Sequence, residues 1–168
     1  FEGRPSLQFR MGNERANQIL EARLRLVLLR TMTTPEGSYR RMIDLPLVRS
    51  DTAAFSLTWT AIHRINEQSP FFGQTAESLA AMDIDVLVAL TGLDDTLSQP
   101  VHARHSYLPS EIVWDVRFAD ILSKLPDGRH LKVADSRLFD LLPLPWPYPE
   151  EMILIGHECP VSGGPRGE

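Results

Sequence analysis

The sequence contains a single cysteine, Cys159, and it has no long apolar run. One cysteine cannot form a disulfide within its own chain, which fits a reducing compartment without requiring one. A membrane-spanning helix needs about 18 consecutive apolar residues, and no stretch approaches that length. No signal peptide opens the chain. Because the sequence begins at Phe1 without a methionine, we expect it to be a piece of a longer protein.

Positive charge is also scarce, with 17 Lys and Arg residues against 22 Asp and Glu residues and a formal net charge of −5. Proteins that bind nucleic acid usually carry a basic patch for the phosphates, and this composition does not indicate one. A mildly acidic chain is better suited to cations or to protein partners. The 168 residues and the apolar fraction of 43% are ordinary for one soluble domain with a real core.

The sequence lacks the motifs that usually announce catalysis or metal binding. It has no G-x-S-x-G motif, no P-loop and no paired-glycine nucleotide fingerprint. His102 and His105 are close in sequence, but residues i and i+3 of a strand point to opposite faces, so one ion cannot easily take both. Asp94 and Asp95 could attract a divalent ion, although two aspartates in a polar loop are usually just solvated. We therefore predict a protein that is not an enzyme and that holds no metal or cofactor.

What is present is a series of strand signals, and the first of them is ambiguous. The stretch NQILEARLRLVLLRT, residues 17–31, is rich in helix-forming residues. Its polarity nevertheless alternates as in a strand, with Ala22, Leu24, Leu26 and Leu28 on one face and Glu21, Arg23 and Arg25 on the other. The sequence TPEG at 34–37 predicts a type I turn, and residues 38–43 can return as the second strand of a hairpin. The hairpin favours strand over residues 18–30.

Further short strands are predicted at regular intervals, at residues 6–11, 55–65, 84–90, 101–107, 117–122 and 130–133. Thr75 is expected to cap a helix of about two turns that ends near Met82. A helical turn is expected from Pro109 to Trp114. His63, on the apolar face of its strand, is expected to be partly buried and hydrogen-bonded. Short strands with one or two small helices are typical of a β-sandwich.

The character of the chain changes beyond Leu142. We predict a folded domain over residues 1–142 and a Pro-rich C-terminal tail over residues 143–168. In that tail PLPWPYPEE should be extended polyproline-like chain, EMILIG could add one edge strand, and the last ten residues should be disordered.

The order of several motifs resembles a known family. The segments FRMGNERANQILEARLRLVLLRTMTTPEG, LPLVRS, FSLTWTAIHRINEQSPFFGQT, VLVALTGLDDTLSQPVHARHSYLPSEIVWDVRFADIL and LPDGRHL are similar, in this order, to the cytoplasmic C-terminal domain of inward-rectifier potassium channels. The bacterial members are the most similar, notably in LVRS, LTWT and VHARHSY. The resemblance covers residues 1–140 and ends in the Pro-rich tail.

This resemblance implies an immunoglobulin-like β-sandwich with one or two short helices that forms a homotetrameric ring on the cytoplasmic side of the cell membrane. Two transmembrane helices and a selectivity filter would precede Phe1. The domain would extend the pathway of K⁺ and couple lipid or ion signals to the gate. Mg²⁺ or polyamine would be the pore blocker, and anionic membrane lipid a further partner. The alternative is a free-standing β-sandwich that binds a ligand or a protein and has no pore.

The resemblance also assigns two positions to the wall of the pore. Glu21 matches the acidic position that attracts Mg²⁺ and polyamines, whereas the residues alone equally allow a solvated strand residue that pairs with Arg23. A second acidic position of strongly rectifying relatives falls here on Thr91. This departure removes four carboxylates from a ring of four chains, so strong rectification is not expected.

The segment TGLDDTLSQPV, residues 91–101, matches the loop that forms a narrow girdle at the top of the cytoplasmic pore. Gly92 would allow tight backbone geometry there, and Leu93 and Ser98 would form the constriction. Without the family, a plain hairpin loop is the simpler interpretation.

Three further residues are assigned by the same resemblance. Asp95 and Arg104 match a pair that braces the girdle loop. Arg15, in GNERANQ, matches a basic position near the membrane that influences lipid regulation, although a solvated loop charge is the alternative for one arginine.

Overall fold

The computed structural model describes residues 1–15, 17–119, 122–124, 130–132, 141–143 and 152–154. In chain order the strands are β1 (Ser6–Gly12), β2 (Ile19–Thr34), β3 (Gly37–Asp44), β4 (Asp51–Phe55), β5 (Thr58–Arg64), β6 (Ile84–Asp94), β7 (Pro100–Tyr107), β8 (Ile112–Trp114), β9 (Val116–Phe118), β10 (Leu122–Lys124), β11 (His130–Lys132), β12 (Leu141–Pro143) and β13 (Met152–Leu154). One short helix, α1 (Ala76–Ala80), precedes β6.

Two main sheets make up the fold. The larger has the order β3-β2-β6-β7, with β4 also paired to β2, and the smaller has the order β5-β1-β13-β8. Apolar side chains of both sheets form one buried cluster, and Phe9 of β1 meets Tyr107 of β7 edge to face with ring centroids 5.6 Å apart. The predicted fold class, a β-sandwich, is confirmed.

The ambiguous stretch 17–31 is strand. Its four predicted inward residues are buried and its three predicted outward residues are exposed, as the alternation indicated. Burying that apolar face against the other sheet outweighs a helix propensity of a few tenths of a kcal/mol per residue. β2 and β3 form the predicted hairpin, in which Thr34 pairs with Gly37. Gly37 has a φ of +138°, a backbone conformation that glycine adopts without strain.

The predicted strand 55–65 is wrong at its start. Phe55 ends β4, which the sequence did not indicate, and a bend at Ser56 and Leu57 precedes β5. The break has a topological reason, because β4 pairs with β2 of the larger sheet and β5 pairs with β1 of the smaller one. The chain therefore crosses between sheets at this bend.

Three other boundaries differ from the predictions. Thr75 caps α1 as predicted, in a reciprocal arrangement with Ser78, but the helix ends at Ala80. Only Pro109–Glu111 form a helical turn, because the next three residues pair with β13 as β8. Residues 91–94, predicted as loop, continue β6.

The segment predicted as an edge strand, EMILIG, contributes an interior strand instead. β13 lies between β1, to which it is parallel, and β8, to which it is antiparallel. β10 and β11 pair with each other, and the turn predicted between them at 126–128 lies outside the described residues. Residues 144–151 and 155–168 also lie outside, so polyproline-like chain and disorder there stay predictions, as does the domain boundary.

Candidate functional site

The residues singled out by sequence meet at one irregularity of the larger sheet. The pairing of β2 with β6 runs from Leu20 opposite Leu93 to Arg23 opposite Thr91, so two residues of β2 face one residue of β6. This is a β-bulge, a feature that re-aims side chains and is frequent next to functional sites. The two residues are Glu21 and Ala22, and the residue opposite them is Gly92.

The bulge explains why glycine occupies position 92. A Cβ atom added there would collide with Cγ2 of Ile19, and it would lie 3.0 Å from the carbonyl oxygen of Leu20 and 3.3 Å from Cα of Ala22. The φ of Gly92 is not positive. Glycine is therefore needed for space, whereas the sequence suggested tight backbone geometry.

Glu21 is exposed and has a φ of +48°, which is uncommon for a residue with a side chain. The bulge reverses the alternation of β2 at this point, since Ile19 and Ala22 are both buried. Glu21 thus stays on the outer side of the sheet. Thr91, which is also exposed, pairs with Arg23 two positions away, so the fold brings the two predicted pore positions to one place.

The predicted girdle loop is shorter than expected. β6 ends at Asp94 and β7 begins at Pro100, which leaves residues 95–99 as the connection. Ser98 has a φ of +52° and is exposed. Leu93 is 37% exposed and Leu97, near the tip, is 61% exposed.

Leu97 is a residue that the sequence reasoning missed. A leucine with more than half of its surface in water at a loop tip is an apolar group available to an interface or to the wall of a narrow passage. The sequence signal that could have identified Leu97 is its position as a single leucine within a run of polar residues.

Asp94 is the residue that holds this loop. Its Oδ1 accepts hydrogen bonds from the backbone N–H groups of Thr96 at 2.8 Å and Leu97 at 3.0 Å, and its Oδ2 accepts one from Nδ2 of Asn17 at 2.6 Å. Its backbone N–H donates to the carbonyl oxygen of Gln99 at 2.9 Å. An aspartate that accepts from the backbone two residues ahead is a common turn device. From the sequence alone, Asp94 is expected to be an ion ligand or a solvated charge, and its role in the loop is not indicated.

The same contacts lower the pKa of Asp94 below its ordinary value of 3.8. The backbone N–H of Leu97 is the largest cause, and the N–H of Thr96, the side chain of Asn17 and the charge of Arg15 act in the same direction, against the effect of burial. Donors that point at a carboxylate favour its ionised form. The loop anchor is therefore a charged group at neutral pH.

The predicted Asp95–Arg104 pair is not formed within one chain. Among the described residues, the carboxylate Oδ1 of Asp95 accepts from the backbone N–H of Gln18 at 3.0 Å and from the Thr96 hydroxyl at 3.1 Å. Arg104 lies four residues beyond Pro100, about 13 Å along β7, while Asp95 lies on the other side of Pro100. A brace between these two residues requires two chains and stays a prediction.

Asp95 nevertheless ties the loop to the segment that precedes β2. Its backbone N–H donates to the carbonyl oxygen of Gln18 at 3.0 Å, which complements the bond that its carboxylate accepts from the N–H of Gln18. Arg15, in the same segment, is exposed, and its backbone N–H donates to Oδ1 of Asn13 at 3.1 Å. The lipid role of Arg15 stays a prediction.

The histidines do not form a metal centre in the part of the chain that the structure describes, where no group of three or more potential ligands comes together. His102 and His105 belong to opposite faces of β7, since the ring of His105 meets that of Tyr107 edge to face while His102 pairs with Thr91 on the outer side. His63 is buried and hydrogen-bonded through both ring nitrogens, as predicted.

The comparisons with known proteins agree with the resemblance seen in the motifs. A family model described as the inward rectifier potassium channel C-terminal domain matches residues 2–143. The chain belongs to this family. Its members are ion channels rather than enzymes, in accord with the prediction that the chain is not an enzyme.

Three curated relatives show the range of similarity within this channel family. The inward rectifier potassium channel Kirbac3.1 of Paramagnetospirillum magnetotacticum is 45% identical over 130 residues, 77% of this chain and 44% of the relative. The ATP-sensitive inward rectifier potassium channel 12 of Gallus gallus is 35% identical over 126 residues, 72% of this chain and 29% of the relative. Inward rectifier potassium channel 4 of Homo sapiens is 32% identical over 141 residues, 81% of this chain and 31% of the relative.

The chain thus spans less than half the length of each of these relatives. Within the described residues, no helix has the length and apolar character needed to cross a membrane.

Proposed function

We propose that this chain is the cytoplasmic pore and gating domain of a homotetrameric inward-rectifier potassium channel in the cell membrane. The observation that carries the proposal is the match of residues 2–143 to the family of inward-rectifier C-terminal domains. A relative named as a potassium channel is 45% identical over 130 residues. The domain extends the pathway of K⁺ on the cytoplasmic side and couples lipid or ion signals to the gate.

The site supports this proposal through Glu21. The bulge keeps this carboxylate exposed on the outer face of the larger sheet, beside the girdle loop. In a fourfold ring with this face toward the axis, one residue becomes four carboxylates around an aqueous passage. Two unit charges at 4 Å interact with about 1 kcal/mol in bulk water and about 4 kcal/mol near a protein surface. A polyvalent cation on the axis meets all four groups together.

Two features of the sheet keep this cation site weak. Thr91 stands where a second ring of carboxylates would be, and Arg23 and Arg25 share the outer face with Glu21. Their positive charges offset part of the attraction, and salt screens the remainder with a Debye length of about 8 Å at physiological ionic strength. We therefore propose weak to moderate voltage-dependent block by internal Mg²⁺ or spermine.

The test is outward current in excised patches that contain the full-length channel, with and without spermine or Mg²⁺ on the internal side. Glu21→Gln should weaken block because it removes four carboxylates from the axis. Thr91→Glu should strengthen it because it supplies a second ring. Glu36→Gln, in the exposed turn between β2 and β3, is the matched control and should leave block unchanged.

If neither substitution changes the affinity of the blocker, Glu21 is a solvated strand residue and does not face a pore. The alternative, a free-standing β-sandwich that binds a ligand or a protein, would then be favoured. The coding sequence upstream of Phe1 distinguishes this alternative from a channel domain. A channel requires two apolar runs of about 20 residues flanking a T-x-G-[YF]-G motif.

A further inference from the structure

The outer face of the larger sheet carries basic side chains in a regular arrangement. Two adjacent rows of cross-strand neighbours run over β2, β6 and β7. The first row is Arg23, Thr91 and His102, and the second is Arg25, Ala89 and Arg104. We call these six residues the basic grid.

The grid has the dimensions of a small anion site. Neighbouring strands lie about 4.8 Å apart and alternate residues of a strand about 6.7 Å apart, so the four basic side chains mark a rectangle of about 10 Å by 7 Å. The centre of the rectangle is a shallow depression between longer side chains, because Ala89 and Thr91 have small side chains. Three of the corners are arginines, which bind phosphate oxygens through two parallel N–H donors, and the hydroxyl of Thr91 adds a donor from the floor.

In the single chain, the guanidinium groups of Arg23, Arg25 and Arg104 are available to bind a ligand. Across the described part of the chain, none of their guanidinium groups makes an ion pair or a hydrogen bond. Other arginines of this protein do, since Arg40 contacts Asp85 at 2.6 Å and Arg64 contacts Glu2 at 2.7 Å. Asp51 lies opposite Arg23 in the register of β2 and β4, but its Oδ1 accepts a hydrogen bond from the hydroxyl of Ser50 at 3.3 Å.

We propose that the basic grid binds a soluble polyphosphate anion. Charge complementarity favours a compact anion over an anionic membrane, because acidic side chains border the grid. Glu21 and Asp51 lie beside its first row and Asp44 beyond its second. An extended negative surface would meet these carboxylates together with the arginines, whereas a di- or triphosphate over Ala89 and Thr91 meets mainly the arginines.

The proposal does not rest on the proposed channel function. All six residues belong to one chain, so the site is complete in the single chain. In a fourfold ring, an ion pair of Arg104 with Asp95 of a neighbouring chain would compete with the anion for one corner of the grid. In a ring with this face toward the axis, the anion would occupy the wall of the passage near Glu21, but binding itself can be measured on the chain alone.

The test is isothermal titration of the 168-residue chain with inorganic tripolyphosphate at low and at physiological salt. Arg25→Gln and Arg104→Gln, at two corners of the grid, should each lower the affinity about tenfold, which is the loss of roughly one charge-assisted bond. Arg30→Gln removes an equal charge from the same strand outside the grid and is the matched control. The affinity of the wild type should fall as salt rises.

Circular dichroism of each variant establishes that the sheet is intact, as expected for exposed side chains. Equal weakening by Arg30→Gln would overturn the proposal, because it would show attraction to net charge rather than to a site. Absence of saturable binding by the folded wild type would also overturn it. Sedimentation with anionic phospholipid vesicles forms a third arm, and grid-dependent binding to vesicles without binding of tripolyphosphate would assign the arginines to a membrane instead.

Discussion

At the scale of single residues, His63 shows how a buried titratable group is kept neutral. Its Nδ1 lies 2.8 Å from the carbonyl oxygen of Pro46, and its Nε2 lies 2.9 Å from the hydroxyl oxygen of Ser69. A carbonyl oxygen only accepts, so Nδ1 carries the proton and Nε2 accepts from Ser69. Burial lowers the pKa of His63 below its ordinary value of 6.5, and the bond to Pro46 opposes that effect. The neutral tautomer is therefore part of the folded structure.

The lowered pKa of His63 predicts a loss of stability in mild acid. The unfolded chain takes up the proton near pH 6.5 and the folded chain only at lower pH, so the free energy of unfolding should be constant above about pH 7.5. Below pH 6.5 it should fall, by at most about 1.4 kcal/mol per pH unit for one proton. Urea unfolding at pH 7.5 and 5.5 measures this. In His63→Gln the difference between the two pH values should shrink, and an unchanged difference would assign it to other groups.

Asp94 carries the second prediction at this scale. Asp94→Asn removes the charge that receives the N–H groups of Thr96 and Leu97, so the amide hydrogens of these two residues should exchange faster with solvent. Because the pKa of Asp94 is lowered, its contribution to stability is present above pH 3.8 and is lost as the pH falls through the folded value. Amide exchange followed by NMR at neutral pH is the measurement.

Asp83→Asn, at an exposed position just before β6, is the control and should leave those two amides unchanged. Unchanged exchange in Asp94→Asn itself would mean that the backbone of the loop, rather than this carboxylate, sets its stability.

At the scale of elements, the bulge in β2 makes a prediction about Gly92. Gly92→Ala places a methyl group against Ile19 and against the backbone of Leu20 and Ala22. Overpacking of this kind costs about 1–3 kcal/mol, so the midpoint of urea unfolding should fall. Thr91→Ala changes the neighbouring exposed residue and should have little effect. A Gly92→Ala variant as stable as the wild type would show that β2 and β6 separate easily at this point.

Local patterns were sufficient for the elements whose contacts are local. The hairpin of β2 and β3, the cap at Thr75 and the alternation of residues 84–90 were all predicted, because a turn sequence, a capping residue and a buried face each leave a signal within a few positions. The break at Ser56 was missed, since the strands on its two sides belong to different sheets. The interior position of β13 depends on pairing with β8, about 40 positions away, and with β1, about 145 positions away.

The candidate site also has features that the sequence predicts and features that it does not. Exposure of Glu21 followed from alternation, whereas the family resemblance assigned Glu21 and Thr91 to the pore wall without placing them side by side. The bulge could not be predicted, because it depends on the register between two strands. The hydrogen bonds that Asp94 accepts from the loop amides could not be predicted either, because the sequence does not show which of two adjacent aspartates turns toward them.

At the scale of the whole molecule, the contrast between the two sheets indicates which surface remains for a partner. β1 lies inside the smaller sheet and is buried along its whole length. The outer face of the larger sheet has exposed polar and charged residues on three strands, namely Glu21, Arg23 and Arg25 of β2, Thr91 of β6, and His102 and Arg104 of β7. A ring that turns the larger sheet toward its axis would give these charged residues a shared aqueous space, and the girdle loop would lie at one end of it.

We expect the chain to assemble with fourfold symmetry, but weakly. A transmembrane part would hold four copies at a high effective concentration, and without it association depends on the contacts of the domain alone. Light scattering over a range of concentrations should therefore show monomer at low concentration and tetramer at high concentration. Spin labels at Glu21→Cys, in a chain that also carries Cys159→Ser, report the geometry through their separations. A fourfold ring gives an adjacent distance and a diagonal one that is longer by the square root of two, whereas a twofold dimer gives a single distance. A stable twofold dimer with Glu21 facing outward would contradict both the ring and the position of this carboxylate on its axis.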